Sequence, residues 1–147
     1  MNTIKDKLPL IGRVEHIDFP EWELFDIDAK IDTGAYTSSL HCHLIETFEK
    51  DGRPHVKFNL FDPTHEIYNG KVLKLPVHDS KMIKSSNGEK EERFIIKTII
   101  RISDQSFEVE LSLTDRSEMR YPVLIGRKLI RDNFIVDVSQ KYLSTKS

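Results

Sequence analysis

An acid at the end of an apolar strand is the first place where residue types and spacing suggest chemistry. In Ile27-Asp28-Ala29-Lys30-Ile31-Asp32-Thr33-Gly34-Ala35, the residues Ile27, Ala29 and Ile31 share one strand face, and Asp32 arrives where the strand gives way to a turn. Thr33 can hydrogen-bond to neighbouring backbone, and Gly34 allows close approach because it lacks a Cβ. The ordinary alternative is a β-turn in which Asp32 caps backbone amides and Gly34 supplies a permissive dihedral. A second constellation is His41-Cys42-His43. In a strand the two imidazoles point to one face, where they could share zinc with His78, Asp79 or another acid and activate a bound water. The competing reading leaves both histidines on the solvent face with Cys42 packed inward.

Positioning these groups falls to strands. Period-2 alternation predicts strands over Leu10–Ile17, Leu24–Asp32, Ser39–Thr47, His55–Phe61, Lys71–Val77, Arg93–Ile102, Phe107–Leu113 and Phe134–Val138. Asp51-Gly52-Arg53-Pro54, Asn69-Gly70 and Asn87-Gly88 supply turns. Arg127–Asn133, just after Gly126, is the one segment that reads as a helix. Many short strands with Gly- and Asn-rich turns predict an all-β barrel or sandwich.

Near the C-terminus, Tyr121-Pro122-Val123-Leu124-Ile125-Gly126-Arg127-Lys128-Leu129-Ile130 places an apolar run before Gly-Arg and a short amphipathic segment. Between the two motifs lies a charged stretch, Met82-Ile83-Lys84-Ser85-Ser86-Asn87-Gly88-Glu89-Lys90-Glu91-Glu92-Arg93-Phe94. In this order and approximate spacing, from Asp32 to Ile130, the chain resembles retropepsin-like aspartic proteases. Ala29–Leu40, Lys84–Ile96 and Leu111–Leu129 are most similar to the branch labelled ATP-dependent zinc proteases, which often accompanies ATP-grasp ligases that add glutamates to ribosomal protein tails. The resemblance implies a retropepsin-like closed β-barrel with one short C-terminal helix. It also implies an aspartic endopeptidase, with Asp32, Thr33 and Gly34 catalytic and Ala35, Ser85, Ser86, Asn87, Gly88 and Arg127 binding substrate under a hairpin flap. Acidic or glutamate-modified peptide tails are its implied substrates. Two departures stand out: Tyr36 and Thr37 replace the acid that pairs with the arginine in retropepsins, and the flap is charged rather than glycine-rich.

Hydrolysis at such a site needs two carboxylates sharing one proton, so that one pKa rises and the other falls. Only one Asp-Thr-Gly is present, and neither Asp115-Arg116-Ser117 nor Asp132-Asn133-Phe134 substitutes for it. A two-fold homodimer with Asp32 facing Asp32 is therefore expected. The other readings are a zinc peptidase built on His41 and His43, and a non-catalytic peptide-binding or dimerisation module. No cofactor is expected on the carboxylate reading. The chain has no Gly-x-x-x-x-Gly-Lys-Ser/Thr loop and no His-Glu-x-x-His motif.

Composition limits the classes. A length of 147 residues fits one domain, taken as 1–147 with flexible tails at about 1–8 and 140–147. Lys and Arg number 22 against 24 Asp and Glu, so no global field draws the chain to nucleic acid or an anionic membrane. No window approaches the roughly 20 apolar residues that span a bilayer. One cysteine and no signal-peptide-like start predict a cytoplasmic setting.

Overall fold

The computed structural model describes residues 8–61, 70–84, 87–115 and 120–144. Eleven strands lie among these residues: β1 (Leu10–Gly12), β2 (Val14–Phe19), β3 (Leu24–Ile31), β4 (Ser38–Lys50), β5 (Arg53–Leu60), β6 (Val72–Pro76), β7 (Asp79–Lys84), β8 (Lys90–Ile102), β9 (Gln105–Thr114), β10 (Val123–Ile125) and β11 (Ile135–Asp137). One α-helix, α1, covers Arg127–Ile130.

Alternation does most of the local work. Val56, Phe58 and Leu60 on β5, Ile96, Thr98, Ile100 and Ile102 on β8, and Val109, Leu111 and Leu113 on β9 are buried. The residues between them, such as Lys97, Arg101 and Glu108, are exposed. Each Leu, Ile or Val withdrawn from water contributes about 1.5–3 kcal/mol, which fixes strand register, since a one-residue slip would expose a whole face. Two-residue turns close the long hairpins. Asp51 and Gly52 both have positive φ between Lys50 and Arg53, as do Ser103 and Asp104 between Ile102 and Gln105. Two left-handed residues in succession match the twist of the strands they join. Phe19 stacks on Trp22 at 4.5 Å within the core.

The strand partners correct the expected closed barrel. Nine strands form one large mixed sheet along the path β10-β3-β2-β8-β9-β4-β5-β6, with β7 attached to β8, and β1 and β11 make a separate two-stranded sheet. The pairings β10–β3, β4–β9 and β1–β11 are parallel. β10 also makes a short antiparallel pairing with β4, through Val123↔Leu40 and Leu124↔Ser39. Alternation reveals which segments are strands but not which segments become neighbours, so the sequence pattern could not yield this order.

β10 sets the position of the Asp-Thr-Gly turn. It runs beside β3 in the register Ile31↔Ile125, so the chain leaving β3 at Asp32 emerges where β10 hands over to α1.

Candidate functional site

Asp32 sits at that junction, half-buried, with its amide donating to the Ile125 carbonyl at 2.8 Å. Its Oδ1 accepts the Gly34 amide at 3.0 Å, and its carbonyl accepts the Ala35 amide at 3.2 Å. A Cβ on Gly34 would lie 3.3 Å from Asp32 Oδ1, so glycine keeps this turn around the carboxylate open. No hydrogen bond to Oδ2 is formed among the described residues.

The loop 32–37 is laced to the start of α1. The Arg127 amide donates to Ala35 O at 2.8 Å, the Lys128 amide to Tyr36 O at 3.0 Å, and the Gly126 amide to Ser38 Oγ at 3.0 Å. A Cβ at Gly126 would lie 2.6 Å from both the Tyr36 and Thr37 carbonyl oxygens, a distance only glycine tolerates. The Arg127 guanidinium donates through Nη1 to Thr33 O at 3.0 Å and lies 5.9 Å from the Tyr36 ring centroid. That carbonyl and that ring face fill the role of the missing acid after Ala35.

Beside the loop is an open concavity of about 440 Å³ lined by Thr33, Tyr36, Arg127, Ile130 and Arg131. Its walls are mostly apolar, combining an exposed aromatic ring, the aliphatic Ile130 and the flanks of two arginines, with the Arg131 side chain largely exposed. On the other side of α1, Lys128 Nζ donates to Glu110 Oε2 at 2.7 Å, with His78 3.9 Å from the same carboxylate. The Lys128 hydrogen bond is the main cause holding the Glu110 pKa below its ordinary value, and the same bond raises that of Lys128.

The structure brings Asp32, Thr33, Gly34, Ala35 and Arg127 together. The hairpin is a different element: β7 and β8 pair from Asp79↔Ile95 to Lys84↔Lys90, and the Glu89 amide donates to Asn87 Oδ1 at 3.1 Å near Gly88. Ser85 and Ser86 lie outside the described residues. Among the described residues, His41 and His43 join no metal-holding group with Asp32. His41 and Cys42 are both fully buried and His43 is half-buried, so the pair does not share a solvent face. Strand alternation fails there, since Leu40, His41 and Cys42 are all fully buried, and the His41 backbone is tied in the sheet plane by His41 N donating to Pro122 O and His41 O accepting from Phe61 N. Burial, then the nearby Asp115 charge, pushes the Cys42 thiol far above its usual range. Among the described residues no group of three or more His, Cys, Asp or Glu is arranged to hold a metal ion, which corrects the zinc-peptidase alternative. No helix among them is long and apolar enough to cross a membrane.

Arg131 escaped the sequence reading. Its signal was available, since Arg127 and Arg131 stand four residues apart, the spacing that brings helical side chains to one face.

A probable alpha-L-glutamate ligase of Shewanella pealeana is 38% identical over 143 residues, covering 95% of this chain and 30% of that protein. One from Desulfotalea psychrophila is 35% identical over 128 residues, covering 87% of this chain and 28% of the relative. The chain thus spans about 30% of the length of these curated relatives. A Legionella pneumophila protein of unknown function has a crystal structure that superposes with a TM-score of 0.76 at 27% identity, covering 93% of this chain and 98% of that one. Residues 10–147 match the RimB-like family, described as retropepsin-like aspartic endopeptidase RimB.

The resemblance read from the motifs therefore holds at the level of the family and its kinship with glutamate-ligase proteins. The hydrolase assignment is corrected, because the curated relatives carry a ligase's name and not a peptidase's. With it goes the reason to expect a homodimer, which was that two Asp32 side chains must share a proton. By a match over nearly its whole length, the chain belongs to the RimB-like family.

Proposed function

We propose that this chain handles the peptide in α-L-glutamate ligation, holding a glutamate-bearing end in the concavity beside α1. The activation chemistry is assigned to the larger share of the ligase relatives that this chain does not match. The concavity carries the reading. The apolar walls with Tyr36 and Ile130 suit the methylenes of a glutamate side chain, and the exposed Arg131 guanidinium beside them suits its carboxylate. Arg127 keeps further N–H groups beyond the one given to Thr33. In this reading Asp32 receives an amine or amide N–H through Oδ2, and Thr33, Gly34 and Ala35 form the loop on which the ligand rests. Asn87 and Gly88 supply flanking contacts from the hairpin. A reducing, cytoplasmic setting is proposed from the lone Cys42.

The test is calorimetric titration of the full chain with a peptide ending in four glutamates, and with the same peptide ending in glutamines. A Kd on the order of 10–100 µM is expected for the acidic peptide, with the glutamine version at least about tenfold weaker. Equal affinity for the two, or binding of neither, contradicts the reading. Mass spectrometry of the recovered peptide is expected to find it intact, and shortened products would reinstate hydrolysis.

A further inference from the structure

Three cations stand on or beside α1, and they are not equivalent. Arg127 is committed to the loop through Thr33 O and the Tyr36 ring. Lys128 is committed to β9 through Glu110 at 2.7 Å. Arg131 lines the same concavity as Arg127, and among the described residues its one ion pair is with the adjacent Asp132, at 3.9 Å with side chains 80% and 79% exposed. An exposed pair of this kind is exchanged for another partner at little cost.

Resting on the peptide-holding reading, we infer that Arg131 selects for negative charge in the ligand, while Arg127 is a positioning residue that shapes the loop receiving it. Arg127 can turn its bound nitrogen toward a ligand only by releasing Thr33. Arg131 swings on its stem without disturbing any other hydrogen bond of the loop. Its backbone is nonetheless fixed, since its amide donates to Arg127 O at 2.9 Å and closes the helical turn. The arm is free and its origin is set, which suits a group that must find a carboxylate at the mouth of an open concavity. The ligand class is a peptide whose terminal side chains are carboxylates carried on short methylene stems.

A fluorescein-labelled peptide ending in four glutamates, titrated with the full chain by anisotropy at low and moderate salt, tests the division of labour. Arg131→Ala is expected to bind about tenfold more weakly, to lose much of the salt dependence, and to keep the wild-type melting midpoint. Arg131→Lys is expected to recover most of the affinity, because a mobile point charge suffices there. Arg127→Ala should lower both the affinity and the melting midpoint, and Arg127→Lys should restore neither in full, because the fork geometry is lost. The inference is overturned if wild type binds the peptide and Arg131→Ala binds it equally well, or if Arg131→Ala melts as early as Arg127→Ala. A wild-type chain that ignores the peptide removes the peptide-holding reading itself, and the role of Arg131 with it.

Discussion

Glu15 and Asp32 are two acids of the same sheet with opposite surroundings. Glu15 is fully buried on β2 and accepts the Gly12 amide at 2.6 Å, the Leu143 amide at 2.9 Å, the Ser144 amide at 3.0 Å and the Ser144 hydroxyl. Its oxygens clasp residues 140–144 against β1 and β2, aided by Arg13 N to Gln140 O and Tyr142 N to Val14 O, both at 2.8 Å. Asp32 is half-buried, receives a side-chain hydrogen bond from Gly34 alone among the described residues, and stands beside a concavity. The difference teaches how to tell an acid of the fold from an acid of a site. Saturated acceptors with local donors mean structure, and a spare acceptor at an opening means capacity for a ligand.

The sharpest way to break this contrast is Glu15→Ala. It leaves several buried donors without an acceptor and is expected to cost about 3–5 kcal/mol, measured by urea denaturation. A loss below about 1 kcal/mol would mean that the clasp opens readily to water. Gly126→Ala comes next, at about 1–3 kcal/mol, because the new methyl meets two backbone carbonyls. Wild-type stability in that variant would show that the loop and α1 are not rigidly laced. Arg127→Ala should cost about 1 kcal/mol through the Thr33 contact.

Asp32→Asn is expected to shift stability by no more than about 0.5 kcal/mol, since an amide oxygen still accepts from Gly34. Its effect belongs to binding instead, a loss of about tenfold for the glutamate-ended peptide. A large stability loss would place Asp32 with Glu15 and erase the distinction. The smallest effect is electrostatic. Glu110 has a lowered pKa, so its contribution is present above the ordinary glutamate value of about 4.3 and is lost as pH falls through its folded value. Lys128 has a raised pKa, so its contribution is present below about 10.4 and is lost as pH rises through its folded value. Between those limits Glu110→Gln should lower the melting midpoint slightly, and in stronger acid the variant and wild type should converge.

Much of the fold's material was legible in the sequence. Ile27, Ala29 and Ile31 fall on one buried face as their spacing predicts, and Asp51-Gly52 closes a hairpin. Alternation did not reveal β7, because all six of its residues are exposed and it has no buried face to alternate against, and the hairpin there was expected only from the family resemblance. The placement of β10 between β3 and β4 was hidden too, since partner choice is set by packing of the whole chain. Of the site, the meeting of Asp32 with Gly126 and Arg127 followed from the two motifs, whereas the concavity needed Tyr36, Ile130 and Arg131 at positions only a folded loop reveals. The Glu15 clasp left no pattern, because its donors are mostly backbone amides that every residue type carries.

The most direct measurement is an amide chemical-shift map of the chain titrated with the glutamate-ended peptide. We expect saturable shifts concentrated at Thr33–Tyr36 and Arg127–Arg131, with the Glu15 clasp at Gly12, Leu143 and Ser144 unmoved. Shifts confined to the β7–β8 hairpin, or none at millimolar peptide, would contradict the account.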